Sequence, residues 1–380
     1  MKALFVDDDP VVLGTLRRGL LEHGAKLDCQ FAFTIVDAMA ALDREPFDAV
    51  ICDLATREMD GTALLQVVAD RHPSTLRIIL SARTDEEAAL RAAPVAHEFL
   101  NKKVGVDVII DTIERGLHRR DSLVGGSGLA DLVGRVGALP APPELFVRLG
   151  QVMNDPNASS AAVSAVLQSS PVVVAKLLQL VNSSFFAAPQ RIVTVEAAVA
   201  RLGLRLVRAV VLTEGVFADD DGNGVYSLAH QRRGRFEAAA AMTAAQAIST
   251  RGPIRETAVT AALLANIGVP LLASVAPELA IWIRDRVEAG VDQVASELEI
   301  MGTTHAAFAG HVLSIWNLPD DVVDAVSRHH DAPTAWDAQG ITAVAWGITE
   351  KRHVDVEALR DFGTPPSSLA MVRELVGARR

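Results

Sequence analysis

The chain has 380 residues, of which 50% are hydrophobic and 22% are charged. It is therefore long enough for two folded domains and too apolar to be disordered. The formal net charge is −11, and the sequence has no long Lys/Arg stripe. Because proteins that bind duplex nucleic acid need a basic face, we expect no DNA-binding output.

The N-terminal segment does not read as a signal peptide, because Asp7, Asp8 and Asp9 interrupt its apolar stretch. The sequence has no run of about 18 uninterrupted apolar residues, so it predicts no membrane span. We therefore expect a cytoplasmic protein with no membrane partner. The two cysteines, Cys29 and Cys52, are too few for a disulfide framework.

Residues 1–120 alternate short apolar runs with helical patterns, which is typical of a doubly wound parallel α/β sheet. The predicted strands are Ala3–Val6, Ala49–Cys52, Leu76–Leu80 and His97–Leu100. The predicted helices are Val11–Glu22, Thr34–Asp43, Thr62–Arg71 and Val106–Arg119.

A Gly-rich stretch at 124–128 follows the last of these helices and is the best candidate for a linker. Beyond it the strand signal disappears, and residues from 139 to about 330 are helical by period. Ser170-Pro171 and Asp155-Pro156 look like helix starts with proline in the first turn. We therefore expect a domain at 1–120, a linker at 121–135 and a helical domain with C-terminal helices at 136–380.

Acidic side chains follow two neighbouring strands of the predicted sheet. Asp7 and Asp8 come after the first strand, and Asp53 ends another. The carboxyl ends of parallel strands meet at one sheet edge, so these carboxylates should converge. Clustered carboxylates repel unless a cation joins them, and Mg²⁺ prefers such oxygen ligands. Ser81 and Lys102 follow two further strands toward the same edge.

This ordered set resembles the response-regulator receiver family over about 118 residues. The matching motifs are Val6-Asp-Asp-Asp-Pro10, Cys52-Asp-Leu54, Met59-Asp-Gly61, Ile79-Leu-Ser81 and Phe99-Leu-Asn-Lys102. The resemblance implies a flavodoxin-like fold with a five-stranded parallel sheet, in which Asp53 accepts a phosphoryl group from a histidine kinase. It also implies that Asp8, Asp53 and the carbonyl of Ala55 bind Mg²⁺, with Asp7 acting through water.

By the same resemblance, Ser81 and Lys102 contact the phosphoryl group, and Phe99 is a switch residue that changes rotamer on activation. The sequence departs from the family at two positions. Arg57 and Lys103 each stand where the family usually has a proline. These departures bear on the position of Lys102 and on how long the phosphoryl group stays.

The helical part resembles the HDOD domain, a relative of the HD phosphohydrolases, over about 200 residues. The segments that carry this resemblance are 169–186, 192–204, Gly302-Thr-Thr-His305, Trp316-Asn-Leu-Pro319 and Arg328-His-His330. Hydrolases of the HD type need an adjacent His-Asp pair that holds a metal. By the resemblance, that pair falls at Ala265 and Asn266, which leaves no HD metal centre, so we expect no enzyme and no cofactor in this part.

Four histidines remain in the later helices: His305, His311, His329 and His330. Their spacing does not give an i, i+4 pair, so we interpret them as hydrogen-bonded or surface residues. A residual metal or nucleotide pocket is the alternative. Asn182 is interpreted as a residue that orders a helix end or loop, with a binding groove as the alternative.

The sequence thus predicts a two-component response regulator with α/β and all-α domains, in which a phosphorelay acts on a non-catalytic output. The output would be a contact with a downstream signalling protein, and a homodimer is left open. The alternative is an HD-type output that binds or hydrolyses a nucleotide second messenger. Small-ligand sensing in the vestigial pocket is a third reading.

Overall fold

A computed structural model of the chain describes most of its residues. The described ranges are 1–23, 27–54, 61–81, 92–93, 95–121, 132–136, 145, 148–149, 151–152, 159–183, 185–186, 190–215 and 228–378. Several predictions lie outside these ranges: the linker at 124–128, the helix start at Asp155-Pro156, and the residues Ala55 and Arg57.

The N-terminal part is a five-stranded, fully parallel sheet with the strand order β2-β1-β3-β4-β5. Its strands are β1 (Lys2–Val6), β2 (Asp28–Ala32), β3 (Ala49–Cys52), β4 (Leu76–Ser81) and β5 (Glu98–Asn101). The four apolar runs predicted as strands are confirmed to within one residue. The strand β2 lacked such a signal because its sequence, DCQFA, lies at the sheet edge and is only partly buried.

Four described helices flank the sheet: α1 (Pro10–His23), α2 (Ile35–Arg44), α3 (Gly61–Arg71) and α4 (Val106–Asp121). The side chain of Thr34 accepts a hydrogen bond from the backbone N–H of Asp37, which caps the start of α2. The buried faces of α1 and α2 follow the helical period, with Leu13, Leu16 and Leu20 in the first. The predicted doubly wound α/β architecture is confirmed.

The described residues of the C-terminal part form helices and the loops that join them, with no strand. Its helices are α5 (Ser160–Leu167), α6 (Pro171–Asn182), α7 (Val195–Gly215), α8 (Leu228–Ile248), α9 (Pro253–Leu264), α10 (Gly268–Val275), α11 (Pro277–Glu288), α12 (Gln293–Met301), α13 (His305–Ile315), α14 (Asp320–Ser327), α15 (Ala338–Thr349), α16 (Ala358–Asp361) and α17 (Pro366–Gly377). A 3₁₀ turn, Ala265–Ile267, joins α9 to α10.

The helix α6 is deeply buried, since every residue from Val173 to Val181 is at most 2% exposed. Pro171 occupies its first turn, as predicted. Asn182 ends it and clamps the following loop: its amide donates to the carbonyl of Ile192 at 2.8 Å, and its oxygen accepts from the Ile192 N–H at 2.8 Å. The interpretation of Asn182 as a loop-ordering residue is confirmed.

One helical stretch, Pro253–Val275, is long and apolar enough to cross a membrane by length and composition, with a mean hydropathy of 1.9. It includes α9, the 3₁₀ turn and α10. Because 61% of its window is buried inside the protein, it is a core element of the helical part.

Candidate functional site

The acidic pocket lies where the strand order reverses, between β1 and β3. Asp7 follows β1 and is buried, Asp8 is half-buried, and Asp53 directly follows β3 and is buried. One carboxylate oxygen of each lies within 4.8 Å of those of the other two. The structure therefore brings together the three aspartates that the sequence predicted.

Lys102 brings a positive charge into this pocket. Its Nζ lies 2.7 Å from Asp7 Oδ2 and 2.9 Å from Asp53 Oδ2. Partial burial lowers the pKa of Lys102, but hydrogen bonds and charge from Asp7 and Asp53 outweigh it, so the net shift is upward. The ammonium is thus firmly charged at neutral pH and offsets part of the carboxylate repulsion.

The backbone fixes these side chains. The Asp53 N–H donates to the Val6 carbonyl at 2.9 Å, and the Lys102 N–H donates to the Ser81 carbonyl at 2.9 Å. Gly61 packs so closely that an added Cβ would lie 2.1 Å from the Asp53 carbonyl oxygen. The pocket is therefore held by strand pairing and by a close backbone approach that only glycine permits.

The loop after β5 differs from the family pattern at Lys103. Its N–H donates to Asn101 Oδ1 at 2.9 Å, a bond that a proline at this position could not make. Ser81 and Phe99 are both fully buried, on neighbouring strands where Ile79 pairs with Phe99 and Ser81 with Asn101. The roles of Ser81 and Phe99 stay predictions.

The donor set of the pocket fits Mg²⁺, because three carboxylates converge there without imidazole or thiolate ligands among the described residues. The candidate ligands are Asp7, Asp8 and Asp53. The carbonyl of Ala55, the fourth predicted ligand, lies outside the described residues.

A second polar cluster joins the two parts of the chain, and the sequence did not predict it. Lys176, on α6, is buried and donates to the Ala93 carbonyl at 3.2 Å. Its Nζ also lies 3.8 Å from the ring centroid of Trp316. Gln179, one turn further along α6, donates to the carbonyls of Ala96 and His97 at 3.2 and 3.1 Å. We call these contacts the docking interface.

The docking interface continues along β5 and α4. Asn317 Nδ2 lies 3.5 Å from Glu98 Oε2, and α13 packs against α4. Buried apolar residues form one continuous cluster from the sheet into α6, α7 and α13. Trp316 is buried and also takes part in this interface through its contact with Lys176. The side of the sheet formed by β5 and α4 is therefore covered by the helical part.

Beneath this interface, Arg77 and His97 are buried together. The backbone N–H of Arg77 lies 3.1 Å from His97 Nδ1, and its guanidinium nitrogen lies 2.7 Å from His97 Nε2. The guanidinium also donates to the Gly134 carbonyl at 2.7 Å. Burial, together with the charges of Arg77 and Lys176, holds the pKa of His97 well below its ordinary value.

This low pKa predicts acid sensitivity. The unfolded chain takes up a proton on His97 below about pH 6.5, whereas the folded chain resists it. The free energy of unfolding should therefore fall as pH decreases below about 6.5, by up to about 1.4 kcal/mol per pH unit from this group. Urea unfolding at several pH values should show that the free energy of unfolding depends less steeply on pH in His97→Asn than in wild type. The exposed His118→Asn serves as control, and equal slopes in all three proteins would contradict the prediction.

The structure also brings together three histidines that the sequence spacing did not predict to form a group. His305, His329 and His330 lie in mutual ring contact. His311 takes no part in this group. At the expected HD pair stand Ala265, which is buried, and Asn266. No local signal could have found the cluster, because it forms through the packing of α13 against α14.

The fold and the acidic pocket define a response regulator with a receiver domain and a helical output. The sequence model of the response regulator receiver domain matches residues 3–114. The model of the HDOD domain matches residues 139–332, just over half of the chain. The chain therefore belongs to the HDOD family and carries a receiver domain ahead of that domain.

Curated relatives are similar over part of their length. An uncharacterized protein of Treponema pallidum is 24% identical over 212 residues, 54% of this chain and 40% of that protein. The DNA-binding transcriptional regulator NtrC of Proteus hauseri is 28% identical over 152 residues, 39% of this chain and 32% of that protein. The chain thus spans well under half the length of these relatives. In this chain an HDOD domain follows the receiver.

One solved structure shares the fold, and a second is similar over part of the chain. A virulence factor from Campylobacter jejuni superposes with a TM-score of 0.55 at 18% identity, covering 67% of this chain and 97% of that one. The MmoQ response regulator from Methylococcus capsulatus gives a TM-score of 0.47 at 20% identity, covering 63% and 94%.

Proposed function

We propose that Asp53 accepts a phosphoryl group from a sensor histidine kinase and that this event switches a non-catalytic HDOD output. The observation that carries the proposal is the convergence of Asp7, Asp8 and Asp53 on Lys102 at the point where the strand order reverses. This edge is where open α/β sheets bind their ligands.

In this proposal a carboxylate oxygen of Asp53 attacks the phosphorus of the donor. A new phosphorus–oxygen bond forms on Asp53 as the bond between phosphorus and the donor's leaving group breaks. Bound Mg²⁺ would neutralise charge on the transferred group. Asp8, Asp53 and the carbonyl of Ala55 would hold that ion directly and Asp7 through water. Lys102 and Ser81 would contact the phosphoryl oxygens.

The docking interface offers a route from this pocket to the output. Lys102 follows β5 directly, and its backbone pairs with Ser81 at the end of β4. The strand β5 carries Phe99, and it begins directly after Ala96 and His97, whose carbonyls accept hydrogen bonds from Gln179. A change at the pocket that shifts β5 therefore alters the surface on which α6 rests, and we assign Phe99 as the switch residue.

The output in this proposal acts by contact with a downstream signalling protein. Binding or hydrolysis of a nucleotide second messenger is the second candidate, and Ala265 and Asn266 argue against its hydrolytic form because neither supplies the carboxylate of an HD pair. We further propose a receiver at 1–120, a linker at 121–135 and an HDOD unit at 136–380, in a cytoplasmic protein that binds neither DNA nor membranes.

The proposal predicts Mg²⁺-dependent labelling of the full chain by a small phosphodonor. Intact-mass measurement should show one added phosphoryl group with Mg²⁺ present, and none after chelation. Affinity capture from lysate with beryllofluoride-treated and untreated protein should then differ in a downstream partner. Labelling that persists without any divalent ion would contradict the role of the acidic pocket.

A further inference from the structure

Three histidine rings from two separate segments meet inside the helical part. His305 begins α13, whereas His329 and His330 follow the end of α14. Their ring centroids are 4.0 to 5.3 Å apart. One ring nitrogen of each lies within 4.8 Å of those of the other two. We call this group the histidine cluster.

Two of these rings have their Nδ1 atoms held by oxygen acceptors. His305 Nδ1 lies 2.8 Å from Oε1 of Glu297, and His329 Nδ1 lies 2.8 Å from the Val326 carbonyl. In a neutral ring, a proton on Nδ1 leaves the lone pair on Nε2. Both rings therefore present Nε2 as a potential ligand atom, in the arrangement by which outer carboxylates and carbonyls orient metal-binding histidines.

The third ring completes the geometry. His330 Nε2 lies 3.1 Å from His305 Nε2, and His330 Nδ1 faces Glu350 Oε2 at 3.9 Å. Two imidazole nitrogens bound to one tetrahedral ion at about 2.0–2.1 Å would be separated by roughly 3.4 Å. The observed spacing is close to this value.

His329 gives an independent indication that the cluster binds a ligand. The ring is fully buried, and its Nε2 has no hydrogen-bond partner among the described residues. Burying an acceptor without a partner costs stability, so such atoms are rare in folded proteins. A cation beside His329 Nε2 would satisfy it.

We propose that His305, His329 and His330 bind one divalent transition-metal ion of the Zn²⁺ class through their Nε2 atoms. Neutral imidazoles suit such ions and do not suit Mg²⁺ or Ca²⁺. Three histidines leave a fourth position for water or a ligand. The side chains of His330 and Glu350 are 16% and 26% exposed, which opens the site to solvent on that side.

This site differs from the missing HD pair. It corresponds to the residual metal pocket that the sequence left open as an alternative, rather than to an HDOD part without a cofactor. The 3₁₀ turn that contains Ala265 and Asn266 packs against both α13 and α14. Asn266 Oδ1 is likewise buried without a described hydrogen-bond partner. The metal would therefore lie next to the position where HD hydrolases have their His-Asp pair. Its ligands would be three other residues.

The test uses the untagged full chain, stripped with a chelator and kept in millimolar Mg²⁺ so that the acidic pocket is filled. Co²⁺ titration should give one equivalent with the visible absorption of a nitrogen-ligated ion, displaced by Zn²⁺. Glu297→Gln should weaken binding about 10–100-fold, and His330→Ala at least as much. Two controls should bind Co²⁺ like wild type. One is His311→Ala, which changes a histidine on the same helix as His305, and the other is Asp53→Asn.

His330 is the ligand chosen for substitution because it is partly exposed, so its loss should not unfold the protein. His305 and His329 are fully buried. Circular dichroism verifies that each variant is folded. Absence of a visible band in wild type would overturn the site and leave the hydrogen bonds of the three rings, such as His305 Nδ1 to Glu297, as the account of the cluster. Equal binding by His330→Ala, or loss of binding in Asp53→Asn, would also overturn it.

Discussion

Asp53→Asn is expected to abolish stable phosphoryl transfer to the chain, leaving labelling by a small phosphodonor below detection. The carboxylate is the nucleophile in the proposed reaction, and a neutral amide oxygen at the same position cannot form an acyl phosphate. Intact-mass measurement in Mg²⁺ provides the readout. The exposed Asp43→Asn, on α2, is the matched control and should label like wild type.

This loss will not reflect unfolding. Asp53 is one of three converging carboxylates, and neutralising one of them reduces like-charge repulsion. Its ammonium partner, Lys102, keeps its contact with Asp7 at 2.7 Å. We therefore expect the unfolding free energy of Asp53→Asn to match or exceed that of wild type. Labelling that survives the substitution would place the acceptor elsewhere.

The sequence predicted the sheet, the acidic pocket and its lysine because each depends on local order. Apolar runs mark buried parallel strands, and the residue that ends each strand lies at a fixed edge of the sheet. Asp7, Asp53 and Lys102 could therefore be assigned to the same edge of the sheet from the sequence alone, before any interatomic distance was known. The edge strand β2 was not predicted from an apolar run, because a partly buried strand contains both polar and apolar residues.

Contacts between distant segments could not be predicted. Lys176 lies in an apolar helix, where a lone lysine predicts a solvent-facing head, yet the structure buries it against Ala93 and Trp316. The histidine cluster was missed for the same reason. Adjacent histidines do not share a helix face, but a ring from a third position can join them once the helices pack.

Lys176→Glu is expected to separate the helical part from the sheet. The new carboxylate would face the Ala93 carbonyl and the negative face of the Trp316 ring, both of which now attract the ammonium. An uncompensated charge at a buried position costs about 3–5 kcal/mol. Small-angle X-ray scattering should show a larger radius of gyration, while the exposed Lys351→Glu should keep the wild-type value.

Gln179→Ala provides a milder test of the same interface. It removes two hydrogen bonds to the carbonyls of Ala96 and His97, at a cost of about 1–3 kcal/mol from unsatisfied buried groups. The radius of gyration should change less than in Lys176→Glu. An unchanged radius and unchanged stability in both variants would show that the docking interface does not hold the two parts together.

The same variants decide whether docking and phosphorylation are coupled. Coupling between two sites is reciprocal: if phosphorylation weakens docking, loss of docking must strengthen binding of the phosphoryl mimic by the same factor. Beryllofluoride affinity in Mg²⁺ should therefore differ between wild type and Lys176→Glu, with Lys351→Glu unchanged. Equal affinity in all three would mean that the interface is structural and that the signal leaves the receiver by another surface.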